Sequence, residues 1–372
     1  MIWSYLLAAL ILPILMVGFS DTAVAEILYV GDANDTIRRY DAHAGVYLDD
    51  PAQGSVAKGV FVTPGLGGLS GPRGMTLLGN SPLLVINQNV ARPFSSAILR
   101  FNGQNGGLKK PIVSEQDPTS ANADPRVPFA SRGTMVLWDK KFLFVPDRHR
   151  ADLDCPSNLP TGRVSVFTKN GDFVGELTAD PHAVPPEQFH PESIVLGPDE
   201  LLYVSSSLNP CTGLGGQVLR FEPDTLVFKD VFIADIGGPG RLNRPAGLVF
   251  DPDGQRLYVM SFRDNGQPDR AGNTDAIRIY EAATGAFQDK IDLWQVGVQP
   301  RSFAAGLLFG PEGRLFVPIN GGANAGEVRR YNVDTKQFDV LVPAGPPKLG
   351  GTFLLFENTD PATLAYHPDQ HH

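Results

Sequence analysis

Two arginines and a glutamate, Arg73, Arg132 and Glu192, fall at one shared position in a set of related short segments. The segments read PRGM, SRGT, PESI, PAGL, AAGL and GGTF, and the shared position holds Arg73, Arg132, Glu192, Ala246, Ala305 and Gly351. Guanidinium groups beside a single carboxylate can take an anionic group through charge-assisted, bidentate hydrogen bonds, with the carboxylate orienting it. The same three side chains can also form an Arg–Glu–Arg cluster that ties neighbouring segments together. A second set comprises Asp32, Asn87, Asp147, Ser205, Ser261 and Asn320, each one to three positions after a recurring valine. Short oxygen-bearing side chains held close to the backbone suit a hard cation such as calcium, and they also cap strand ends. Asn87, Asp147, Glu192 and Asn320 are the candidate metal ligands. His149 and His190 lie near Asp147 and Glu192 in sequence, and a histidine with a carboxylate can bind a metal or exchange protons. These two are the candidate catalytic bases. The sequence contains no GxSxG, no P-loop and no GxGxxG leading into a helix, so it offers no nucleophile elbow and no nucleotide cradle.

The elements that must position these residues recur. Apolar runs ILYV, PLLV, FLFV, LLYV, RLYV and RLFV end on Val30, Val85, Val145, Val204, Val259 and Val317, spaced 55 to 60 residues apart. Each is followed by a run that ends on an aromatic residue, namely Tyr40, Phe101, Phe167, Phe221, Tyr280 or Tyr331. Five copies carry a preceding strand, at Met75, Thr134, Ile194, Leu248 and Leu307. Short β-branched and aromatic runs between Gly, Pro, Asp and Asn are strands joined by tight turns, and repetition at this period means a repeat fold. Radial stacking of small sheets covers both faces of each one. The first copy lacks its first strand, and Phe353–Phe356 has no third strand after it. The reading is all-β: a six-bladed β-propeller of four-stranded antiparallel blades, closed by N- and C-terminal strands in one blade. The loops after the second strands share one end with the connections between blades. The expected long ones are Asp147 to Gly162, Ser205 to Gly216 and Ser261 to Asp275.

The chain carries a net charge of −9, with 40 Gly and 32 Pro. The acidic balance argues against nucleic acid or an anionic membrane as a partner. Residues 1–25 read as a secretory signal peptide, with an apolar run from Leu6 to Gly18 and Ala23-Val24-Ala25 before Glu26. An uncleaved anchor is the alternative. Residues 26–372 then form a single propeller domain, secreted or periplasmic, with no membrane contact after signal removal. The two cysteines, Cys155 and Cys211, sit in equivalent loops of adjacent blades, and an oxidising compartment makes them one disulfide.

The phrases PAGLVFDPDGQRLYV and IRIYEAATGAF in blade five resemble the NHL-repeat and gluconolactonase-like (senescence marker protein-like) six-bladed propellers. AAGLLFGPEGRLFV with VRRYNVDTKQF, and PESIVLGPDELLYV with VLRFEPDTLVF, repeat the pattern. The gluconolactonase-like resemblance implies a divalent cation in the channel, held by Glu, Asn and Asp from different blades. Glu192 matches that type of ligand. The NHL resemblance implies a binding module instead. Three functions follow as expectations. The first is an exported propeller that binds a small anionic or carbohydrate-like ligand through Arg73, Arg132 and Glu192. The second is a divalent-cation-dependent lactonase or esterase. The third is a platform for a protein partner on the loop face.

Overall fold

The computed structural model describes residues 26–48, 59–79, 81–90, 94–148, 161–209, 211–212, 214–345 and 350–368. Its strands form six antiparallel sheets of four. Blade one joins β1 (Ile27–Asp32), β2 (Thr36–Asp41) and β3 (Val60–Val62) to the last strand of the chain. Blade two is β4 (Pro72–Leu77), β5 (Leu83–Asn87), β6 (Ala97–Phe101) and β7 (Leu108–Val113). Blade three is β8 (Val136–Trp138), β9 (Phe142–Asp147), β10 (Arg163–Thr168) and β11 (Phe173–Leu177). Blade four is β12 (His190–Leu196), β13 (Leu202–Asn209), β14 (Leu214–Glu222) and β15 (Val227–Ile233). Blade five is β16 (Pro245–Phe250), β17 (Arg256–Ser261), β18 (Ala276–Glu281) and β19 (Phe287–Asp292). Blade six is β20 (Leu308–Phe309), β21 (Leu315–Pro318), β22 (Val328–Tyr331) and β23 (Phe338–Val342). The closing strand, β24 (Gly351–Phe356), pairs antiparallel with β1, with Leu28 opposite Phe356 and Val30 opposite Leu354.

The repeated residues are the ones that fill the space between sheets. The six valines of the second strands are all buried, each in a position where burial stabilises by roughly 1.5–3 kcal/mol. In blades three to six the aromatic that ends the third strand packs on an aromatic at the start of the fourth, as in Phe221 with Phe228 at 5.6 Å and Tyr280 with Phe287 at 5.9 Å between ring centroids. Edge-to-face pairs of this kind add about 0.5–1.5 kcal/mol beyond their buried area.

The inner strands converge on the axis, and polar groups tie every adjacent pair of blades there. Thr352 Oγ1 donates to the Pro72 carbonyl at 2.8 Å, joining blades one and two. Gly74 N donates to Gly133 O at 3.1 Å, joining two and three. Thr134 Oγ1 donates to Ile194 O at 2.8 Å, and Ser205 Oγ to Ala246 O at 2.7 Å. Gly247 N donates to Ala305 O at 2.9 Å, and Gly306 N to Thr352 O at 3.1 Å, which closes the circle. Backbones approach so closely here that a Cβ on Gly133 would overlap the Glu192 carbonyl oxygen, and one on Gly74 would overlap that of Gly133.

One expected loop is a strand. Ser205 to Gly216 is an extended hairpin in which Ser207 pairs with Gly216 and Asn209 with Leu214. Ser205, Ser206 and Ser207 are buried with their hydroxyls hydrogen-bonded, so the ladder runs on to Asn209 instead of opening into a loop. The blade-three loop falls largely on residues 149–160, which lie outside the described residues. Gly133→Ala should cost about 1–3 kcal/mol of unfolding free energy in urea; an unchanged midpoint would contradict the close approach of blades three and four.

Candidate functional site

A cavity of about 160 Å³ opens on the axis at the loop-bearing end. The first-strand position supplies Arg73, Arg132, Glu192, Ala246 and Ala305 to its wall. In blade one the wall residue is Thr352, not Gly351, because Gly351 pairs with Asp32 where Pro72 pairs with Asn87. The equivalence therefore shifts by one residue in the closing strand.

The second ring needs a larger correction. Asn87 Oδ1 accepts from Ser70 N at 2.7 Å, and Asn87 Nδ2 donates to Gly68 O at 3.0 Å. Asp147 Oδ1 accepts from Ala130 N at 2.8 Å, Ser206 Oγ from His190 N at 2.9 Å, and Ser261 Oγ from Asn243 N at 3.0 Å. Asp32 instead engages Asn34 N at 2.7 Å and Arg38 Nε at 2.9 Å within its own blade. In blades two to five, then, the residue two places after the valine clamps the loop that leads into its own first strand. Side chains alternate along a strand, so the residue three places after the valine takes the opposite side. Three of these, Arg148, Phe262 and Asn320, line the cavity. Two more touch first-strand residues of the wall: Arg73 Nε donates to Gln88 Oε1 at 2.6 Å, and Ser207 Oγ donates to Glu192 Oε1 at 2.7 Å. Asn320 is the one member of the expected metal set that belonged to this column.

Among the described residues, the cavity wall thus carries Arg73, Arg132, Arg148 and Arg244 with one carboxylate, Glu192. Arg148 Nη1 lies 3.3 Å from Glu192 Oε1, and both residues are buried, at 1% and 5% exposure. Burial pushes the Arg244 guanidinium below its ordinary value; Glu192 opposes that shift and Arg148 reinforces it. Arg244 stacks on Phe262, with Cζ 4.1 Å from the ring centroid. An anion about 4 Å from one guanidinium gains roughly 4 kcal/mol at an effective dielectric of 20.

His190 is fully buried and is not among the residues lining the cavity. Its Nδ1 lies 3.2 Å from the Ser207 carbonyl oxygen, so Nδ1 carries the proton and the ring braces the β12–β13 pair. His149 and Cys155 lie outside the described residues. Cys211 is exposed beside the hairpin turn, and no described cysteine is a free thiol. Among the described residues no group of three His, Cys, Asp or Glu side chains could hold a metal ion. The blade-five acids do not supply one, since Asp275 is held bidentately by Arg301 at 2.8 Å. A divalent cation therefore does not fit the described wall residues, among which Glu192 is the one carboxylate, beside Arg148 and Arg244. A broader depression of about 630 Å³ lies at the tight-turn end of blades four and five, where Arg220 pairs with Asp230 and Arg256 with Asp251.

The fold has solved counterparts. The periplasmic gluconolactonase of Pseudomonas aeruginosa superposes with a TM-score of 0.52 at 18% identity, over 85% of this chain and 82% of that one. The chain has the six-bladed fold of the gluconolactonase-like propellers. A luciferin-regenerating enzyme superposes with a TM-score of 0.50 at 12% identity, covering 78% and 81% of the two chains. A candidate 6-phosphogluconolactonase from Bacteroides uniformis gives 0.50 at 11% identity, covering 87% and 84%. No family model and no curated protein matches the sequence.

Arg148 and Arg244 were missed as ligand residues in the sequence, although Arg148 stands three places after its valine, as Asn320 does. Breaking the buried Arg148–Glu192 pair from one side strands a charge. Arg148→Met should cost about 3–5 kcal/mol in chemical unfolding, and Arg148→Met with Glu192→Gln should recover part of that loss. Additive losses in this double-mutant cycle would show that the pair is not coupled.

Proposed function

We propose that this propeller binds a small anionic ligand in its axial cavity, with Arg73 and Arg132 as the primary contacts. Glu192 holds and orients Arg148 at the same site. The observation that carries this reading is four arginines converging on one cavity in a chain of net charge −9. Guanidinium groups gathered among the described wall residues of an otherwise acidic chain favour a ligand with negative charge. The decorated end supplies the entry.

The second reading, a divalent-cation-dependent hydrolase of lactones or esters, draws on the fold shared with the Pseudomonas aeruginosa gluconolactonase. Its expected ligand set is divided between the cavity wall and the loop clamps, so the donors favour the anion reading.

Export also belongs to the proposal. Residues 1–25 act as a cleaved leader, and Cys155 pairs with Cys211 after transfer to an oxidising compartment. The periplasmic origin of one structural counterpart supports this placement. Among the described residues no helix is long and apolar enough to cross a membrane.

Thermal melts in the presence of acetate, citrate and phosphate test the anion reading. The melting temperature should rise with anion concentration, and Arg73→Ala or Arg132→Ala should weaken the apparent affinity by about ten- to a hundredfold. Dialysis against EDTA should leave the melt unchanged. A stoichiometric divalent ion whose removal lowers the melt, with no anion response, would replace this reading with the hydrolase. For export, intact mass of the periplasmic or secreted product should correspond to a chain starting at Glu26 and lacking two thiol hydrogens. A retained leader or two alkylatable thiols would contradict it.

A further inference from the structure

The cavity has two unlike walls. Arg73, Arg132 and Arg148 come from blades two and three, whereas Ala246, Phe262, Phe303, Ala305 and Phe353 bring apolar surface from blades five, six and one. Two of the lining residues, Arg244 and Phe303, hold left-handed backbone, with φ of 39° and 49°. They occupy the same place in successive repeats, two residues before Ala246 and Ala305. The corresponding positions in blades two and one are Gly71 and Gly350, with φ of 70° and 135°. The backbone path at this point suits glycine, and a bulky residue there is strained. Blades five and six nevertheless carry the two side chains that reach over the cavity.

The surroundings enforce the strained geometry. The buried Asp275 takes Arg301 through three hydrogen bonds and also accepts the Phe303 backbone N–H at 3.3 Å. Arg301 Cζ then lies 4.2 Å from the Phe303 ring centroid. Below the ring, a Cβ on Gly321 would overlap it. Phe303 is held in place by these contacts, yet it remains 39% exposed and is one of the residues lining the cavity. An aromatic ring kept partly in water on a strained backbone contributes little to the core. Strain that the neighbourhood over-determines is characteristic of a binding site.

Resting on the anion-binding reading, we infer that the ligand is an aromatic carboxylate of about benzoate size. Its carboxylate faces the arginines of blades two and three, and its ring packs against Phe262 and Phe303. The volume agrees: a cavity of about 150 Å³ accommodates benzene, against about 160 Å³ here. Arg244, stacked on Phe262, stands at the junction of the two walls. Phe303 is the specificity-determining residue, because it gives the ring a face that acetate or phosphate cannot use.

Calorimetric titration of the full chain with benzoate, cyclohexanecarboxylate, acetate and phosphate tests this. Benzoate should bind about tenfold or more tighter than acetate, and tighter than phosphate. Phe303→Gly, and Phe303→Asn as a second variant that tolerates the same backbone, should melt no lower than the parent. Both should erase the benzoate preference while acetate still binds. Equal affinity for benzoate and acetate, or tighter phosphate binding, would overturn the inference and leave the anion reading standing. Binding of none of the four would overturn both. A large drop in melting temperature for both variants would show that Phe303 serves the fold and overturn its assigned role.

Discussion

The closed circle of hydrogen bonds among the innermost strands is the constraint on which the remaining structure depends. Each of the six blade boundaries carries at least one bond at the axis, from Gly74 with Gly133 round to Thr352 with Pro72. These bonds fix the height of each inner strand against the next. Glycine at Gly74, Gly133, Gly247 and Gly306 permits the approach, and hydroxyls of Thr134, Ser205 and Thr352 satisfy carbonyls that the narrow axis would otherwise bury unpaired. Because height and rotation are fixed, the residue just before each glycine meets its counterparts across one small cavity. The site is a consequence of closure, and β24 completes it by bringing Thr352 and Phe353 to the wall.

Charge is distributed against the average of the chain. Acidic residues outnumber basic ones, 40 to 31, and many of them engage surface arginines and lysines in exposed pairs that contribute little. Among the described residues that line the axial cavity, arginines outnumber carboxylates. Glu192 is almost fully enclosed by Arg148 and Ser207, which makes it part of the scaffold that aims a guanidinium. In the proposed reading, a carboxylate on an incoming molecule joins this arginine-rich network.

Much of the fold could be read from the chain because each repeat is written three times over, in the valine, the aromatic and the first-strand segment. The closing strand was legible from a missing first strand at one end and an unaccompanied Phe353–Phe356 at the other. The wall position at Arg73, Arg132 and Glu192 was legible because a two-residue reading frame before a glycine survives in most copies. The second ring was not. Polar residues two and three places after the valine look alike in composition, and only strand pairing tells which side of the pleat each one takes. Asn87 and Asp147 became loop clamps for that reason, while Arg148 and Phe262 went to the cavity. Arg244 and Phe303 could not be found from residue type at all, since nothing in an isolated segment shows that its backbone is left-handed. The serine-rich hairpin of blade four misled for a related reason: a run of consecutive serines reads as an exposed loop, yet here each hydroxyl finds a buried hydrogen-bond partner.

The most direct measurement of the central claim is anomalous scattering from crystals of the protein grown in selenate. The account predicts a selenium peak in the axial cavity, with oxygens in hydrogen-bonding reach of at least two of Arg73, Arg132, Arg148 and Arg244. A cavity without selenate under saturating conditions, or a cation seated on Glu192 in its place, would contradict it.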